Sequence, residues 1–174
     1  MHAKMILAVT LAGLAAAASA QSQDRSSVLG GHDINAPVDV AADRVEVQER
    51  DDRALFVGNV VVRQGSLTLS TARLRLAYSS NAGLEIDRLD ASGGVTVRSG
   101  DEAARSDFAV YDLDRRIITM IGNVRLTQSR NTIQGSRLTI DLESGRAVMD
   151  GGPRGVEGTG GRVTGTFTVP QRRD

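Results

Sequence analysis

The chain has no cysteine and no tryptophan. Without thiols it has neither a disulfide framework nor a thiolate metal site, so its fold rests on burial and backbone pairing. Histidine is nearly as scarce. His2 lies in an N-terminal apolar stretch and His32 in a Gly-rich run ahead of the patterned region. Nucleophile–histidine catalysis and most transition-metal sites are thereby excluded. Three Phe and two Tyr leave a core to be built from Val, Leu, Ile and Ala. Neither sign of charge dominates: the formal net charge is zero, which gives nucleic acid no electrostatic footprint. Lys4 is the single lysine, as a GC-rich coding sequence explains.

What is present begins with a short leader. Lys4 precedes an apolar run from Met5 to Ala16, and "ASA" at 18–20 offers small residues where a signal peptidase reads. The run is too short to span about 30 Å of hydrocarbon, so residues 1–20 are expected to be a cleaved export signal. Removing them leaves 20 Arg against 21 Asp plus Glu, a net charge of −1. Residues 21–36 are expected to be a flexible lead-in, 37–152 one domain, and 153–174 a Gly-rich tail. Within that tail "RVTGTFTV" alternates and is a candidate for one extra strand.

The domain repeats itself. "VGNVVVRQGSLTLSTARLRLAY" from Val57 returns 64 residues later as "IGNVRLTQSRNTIQGSRLTIDL" from Ile121. A finer period also shows. "RVEV" (44–47), "RLRL" (73–76), "DFAV" (107–110) and "RLTI" (137–140) are four versions of one alternating phrase. Each is followed by a second phrase, beginning at Ala54, Leu89, Ile118 and Ala147. Alternation is the mark of half-buried strands, and a period of about 30 residues predicts coils that pile on one another.

Because successive strand side chains point to opposite faces, the phrases assign the inward columns. These are Val45, Leu74, Phe108, Leu138; Val47, Leu76, Val110, Ile140; Ala54, Leu89, Ile118, Ala147; and Phe56, Ala91, Met120, Met149. Two shorter columns are Val60, Val95, Val124 and Val62, Val97, Leu126. The column of Leu55, Asp90, Thr119 and Val148 faces out, as do Arg44, Arg73 and Arg137, with Asp107 at their place in the third copy. Gly58, Gly93, Gly122 and Gly151 recur where a corner between consecutive strands is expected.

Carboxylate pairs at Asp51/Asp52, Asp112/Asp114 and Asp141/Glu143 fall between phrases. Such pairs could serve acid–base work on a sugar, but turns favour Asp for local hydrogen bonding, and a repeated turn explains a repeated acid. Asp112 with Asp114 lacks the later ligands of a calcium loop. No metal or cofactor is indicated, and an enzyme is not expected.

The combination of "ADRVEV" (42–47), "FVGNVVVRQGSLTLSTARL" (56–74) and "IGNVRLTQSRNTIQGSRLTIDL" (121–142) resembles the OstA-like/LptA family of Gram-negative bacteria. The resemblance covers about residues 37 to 152. It implies an all-β open jellyroll, a folded-over twisted sheet with an apolar groove for the acyl chains of lipid A. It further implies a periplasmic lipopolysaccharide-transport bridge, with head-to-tail self-association and pairing with similar domains at the inner and outer membranes. On that reading the lipid-binding residues are drawn from these columns: Val45, Val47, Phe56, Val60, Val62, Leu74, Leu76, Val95, Val97, Phe108, Val110, Ile118, Met120, Val124, Leu126, Leu138, Ile140 and Met149. The columns by themselves also fit a secreted β-repeat structural protein whose core is filled and takes no lipid. A carbohydrate-active β-solenoid would need its acids clustered on one outer face rather than in turns.

Overall fold

A computed structural model describes Leu29 and residues 33–80, 85–152 and 161–168. The expected export signal lies outside the described residues, as do most of the lead-in and much of the Gly-rich tail.

Ten strands form one antiparallel sheet: β1 Val38–Ala41, β2 Arg44–Gln48, β3 Arg53–Gln64, β4 Leu67–Ser79, β5 Glu85–Ser99, β6 Glu102–Asp112, β7 Ile117–Gln128, β8 Asn131–Asp141, β9 Arg146–Asp150 and β10 Thr164–Thr166. From β3 to β8 each strand pairs with the next. The outermost strands come in pairs: β1 and β2 share the free edge of β3, and β9 and β10 share that of β8. The four sequence copies are therefore four successive strand pairs, β2–β3 to β8–β9, each hydrogen-bonded to the next. The tail's β10 lies inside its alternating stretch.

The recurring glycines do not separate strands, as the sequence suggested. They sit inside continuous ones. Register slips between Val57 and Val60, Ser92 and Val95, and Ile121 and Val124. Gly58 and Asn59 carry φ of 84° and 46°, and Gly122 and Asn123 carry 82° and 47°. Glycine and asparagine are the residues that enter this left-handed region at least cost. Two adjacent positive-φ residues make a bulge that bends the strand without ending it. A second device fixes each bend: Asn59 Nδ2 donates to Asp43 Oδ2 at 2.9 Å, and Asn123 Nδ2 to Asp107 Oδ2 at 2.8 Å. The fourth recurrent glycine, Gly151, lies beyond the end of β9.

These bends divide the sheet into two halves. One half carries two-residue hairpins at 65–66, 100–101 and 129–130, each with a first-residue φ of 54°, the sign pattern of a type II′ turn. The other carries the longer turns at 49–52, 113–116 and 142–145, and the ends of β4 at Ser79 and β5 at Glu85. Inward residues of the two halves belong to a single buried cluster, so the sheet is folded over on itself as a jellyroll. Tyr111 Oη of the turn half donates to Gln64 Oε1 of the hairpin half at 2.7 Å, and both residues are buried.

Candidate functional site

In the turn half two apolar rows cross the whole sheet on its inner face. Successive pairings string Val45, Phe56, Leu74, Ala91, Ala109, Met120, Leu138 and Met149 into one row. Val47, Ala54, Leu76, Leu89, Tyr111, Ile118, Ile140 and Ala147 form the other. Columns read separately from the two phrases thus interleave, because the two phrases are neighbouring antiparallel strands. Val60, Val62, Val95, Val97, Val124 and Leu126 are buried on the facing hairpin half.

Two positions in this scheme need correction. Phe108 and Val110 point outward: Phe108 is 55% exposed and Val110 half-buried, whereas Ala109 and Tyr111 are 1% and 3% exposed in the core. "FAVY" is four consecutive apolar residues, so alternation alone cannot choose a face there. The larger residues of the wrong parity gave the false match to "RVEV". The 64-residue offset was the better guide, since it carries Val45 to Ala109, Val47 to Tyr111 and Asp43 to Asp107. Phe108, not Asp107, shares the outward row of Arg73 and Arg137. Outside it, a shallow depression is lined by Leu55, Arg73, Arg75, Asp90, Phe108 and Val110.

The inner rows are filled along the middle. Leu74, Ile118, Met120, Leu138 and Ile140 have no more than 1% of their surface exposed. At the β2 end the same rows emerge into solvent, with Val45 52% and Val47 60% exposed although they face inward. At the β9 end Ala147 and Met149 are half-buried. Apolar surface left uncovered at the end of a continuous apolar strip is a place for an apolar ligand or another sheet to continue it.

Little in the interior titrates. Burial pushes the Tyr111 hydroxyl above its usual range, so it stays a neutral hydrogen-bond donor. Two of the three carboxylate pairs hold turns through a side chain. Asp112 Oδ1 accepts from the Arg115 N–H at 2.9 Å. Asp141 Oδ1 accepts from the N–H groups of Glu143 and Ser144, each at 3.0 Å, and the Ser144 contacts lead in holding its carboxyl below the ordinary value. Among the described residues, no group of three His, Asp or Glu could hold a metal ion. The arrangement is a continuous apolar strip, filled by its own side chains along the middle and uncovered at the β2 end.

Residues 39–146 match the family model described as "LptA/(LptD N-terminal domain) LPS transport protein". An uncharacterised protein of Rhizobium meliloti is 29% identical over 82% of this chain and 83% of its own length. The lipopolysaccharide export system protein LptH of Pseudomonas aeruginosa is 24% identical, covering 74% of this chain and 73% of LptH. LptA of Haemophilus influenzae is 22% identical over 68% of this chain and 73% of its own. The crystal structure of the Pseudomonas LptH, the LptA-homologous periplasmic component of that organism's lipopolysaccharide transport device, superposes with a TM-score of 0.69. It covers 80% of this chain and all of that one at 19% identity, a likeness of fold.

Proposed function

The chain belongs to the LptA/(LptD N-terminal domain) LPS transport protein family, and from that premise we propose that it carries lipopolysaccharide across the periplasm. In this reading the lipid A acyl chains lie between the two halves, shielded from water. The protein is a passive carrier, not an enzyme. The supporting observation is the pair of apolar rows that crosses eight strands and emerges at Val45 and Val47. Of the groove residues expected from sequence, all but Phe108 and Val110 face that interior and are its proposed lining. Burying apolar surface is worth about 25 cal/mol per Å², so an acyl chain laid along such rows gains most where they are continuous.

The paired outer strands suggest how copies join. A β1/β2 edge meeting a β9/β10 edge would continue both the hydrogen-bond ladder and the apolar rows. Head meets tail in such a contact, so it does not close on itself, and related domains at the inner and outer membranes are the other partners. The test is photocrosslinking in cells. A photoreactive side chain at Leu76, which faces in, should capture lipopolysaccharide, and one at Arg75, which faces out, should not. Equal yields would overturn the assignment of the interior. The filled middle of the rows favours the second reading, a structural β-repeat without lipid, which predicts no capture at either position.

A further inference from the structure

A groove whose middle is packed with its own side chains must open before it can take an acyl chain. Side-chain packing fills the interior between its two ends, and the bends at Gly58–Asn59 and Gly122–Asn123 close one long side with continuous chain. The opposite long side is where hairpins of one half face turns of the other, and among the described residues no strand crosses it. Separating the halves there would leave every strand–strand ladder within each half intact.

That side is covered by the chain's own lead-in. Leu29 is fully buried in the core cluster, and its N–H donates to the Glu102 carboxylate, which also accepts from Gln128 Nε2. Asp33 folds the next piece into a turn, accepting from the N–H groups of Asn35 at 2.9 Å and Ala36 at 3.1 Å. Gln64 then ties three elements together. Its Nε2 donates to the carbonyls of Ile34 at 2.9 Å and Ala36 at 3.1 Å, while its Oε1 accepts from Tyr111 across the fold. That uses both amide hydrogens and the oxygen of one buried side chain. From the turn half, Arg116 Nη2 reaches Asn35 Oδ1 at 3.4 Å.

We propose that Leu29 and residues 33–36 are a strap latched by Gln64 over the open side of the groove, and that an acyl-chain lipid enters by this side, taking the place of Leu29 once the strap lifts. The inference rests on the lipid-carrier reading above. It makes the strap an internal competitor for the ligand's site, so the strength of its latch sets the fraction of molecules competent to load.

A reversible disulfide tests this in the full chain. A Cβ built on Gly65 stands 3.6 Å from Asp33 Cβ, within the usual range of about 3.5–4.5 Å for a disulfide. Gly65 has φ of 54°, a strained setting for a side chain that Ser129 already occupies at the equivalent hairpin, and the built Cβ also lies 3.0 Å from the Asp33 nitrogen, so the crosslinked form is checked by its melting temperature. The absence of native cysteine makes the crosslink unambiguous. Binding of fluorescently labelled lipopolysaccharide is compared for the parent and for the oxidised and reduced forms of the Asp33→Cys/Gly65→Cys variant. The reduced form, which lacks the Asp33 side-chain contact to Asn35, should bind at least as well as the parent, and the oxidised form at least about tenfold more weakly than the reduced one, because the competent state is removed. Equal binding by oxidised and reduced forms would overturn the strap while leaving the carrier reading standing. A parent that binds no lipopolysaccharide removes both. Should the oxidised form melt below the reduced one, Gln64→Met decides instead: loading about fivefold faster or more is expected from loss of the two latch hydrogen bonds to Ile34 and Ala36, and an unchanged rate overturns the proposal.

Discussion

Val47 and Tyr111 occupy the same place in the repeated unit, 64 residues apart, and their surroundings differ completely. Tyr111 lies on β6, between β5 and β7, and is 3% exposed. Val47 lies on β2, which has a partner on one side only, and is 60% exposed on the same inner face. The strands differ as well. β6 runs unbroken from Glu102 to Asp112, whereas its counterpart is broken into β1 and β2 around Ala42 and Asp43. Burial here is set by a strand's place in the sheet rather than by its own pattern. The copy at the edge is the one that displays the interior.

The largest expected effect separates these two positions. Tyr111→Asp places an unpaired carboxylate in the core and strands the Gln64 amide, so it should cost more than about 3 kcal/mol. Val47→Asp, still largely hydrated, should cost less than about 0.5 kcal/mol. Urea denaturation of both variants measures the gap. Equal losses would mean that β2 is covered in solution, as a second copy docked on that edge would cover it.

Much of this was legible in the sequence. Alternation reads the inner rows most directly at "RLRL" of β4 and "RLTI" of β8, where apolar and polar residues take turns, and alignment of the second phrase carries the parity to "ALFV" of β3 and "ITMI" of β7. It failed at β6, where Phe108, Ala109, Val110 and Tyr111 offer both parities. It also could not say that Val45 and Val47 would be inward yet exposed, because an edge is a property of the whole sheet. The Gly-Asn pairs were visible, but their partners Asp43 and Asp107 lie 16 residues away from the asparagines. The lead-in was read as flexible linker on composition. Val28 and Leu29 are a two-residue apolar step between serines and glycines, and no periodicity marks it.

The bends should be the next most sensitive features. Gly122→Ala puts a Cβ 2.6 Å from Asp107 Oδ2 at a φ of 82°. Backbone strain of about 1–3 kcal/mol is expected, with displacement of the carboxylate added to it. Gly58→Ala should behave alike, since its Cβ would overlap Asp43 in the same way. Gly94 has φ of 85° and nothing within 4 Å of its would-be Cβ, so Gly94→Ala should lose the strain alone. Thermal melts showing Gly94→Ala as the most damaging of the three would break the proposed role of the aspartates. A smaller effect is expected at Phe108→Ser, less than about 1 kcal/mol for so exposed a ring, whereas an inward Phe108 would cost several times more.

The smallest prediction compares the two aspartate–asparagine clamps directly. Asp43 with Asn59, and Asp107 with Asn123, have nearly the same length and are both exposed. Exposed hydrogen bonds contribute modestly, so double-mutant cycles to alanine should give couplings of about 0.5–1 kcal/mol at Asp107–Asn123. The Asp107 backbone is fixed on both flanks by β6, so its carboxylate is preorganised for the amide. Asp43 sits at the break between β1 and β2, where its N–H donates to the Gly58 carbonyl at 3.0 Å and little else restrains it. Edge strands open more readily than interior ones, and each opening hands the carboxylate to water. The Asp43–Asn59 coupling should therefore be the smaller of the two. If it is instead the larger, the clamp is what holds the broken edge strand against β3, and disrupting it should also raise hydrogen exchange at Val45 and Val47 without changing exchange on β6.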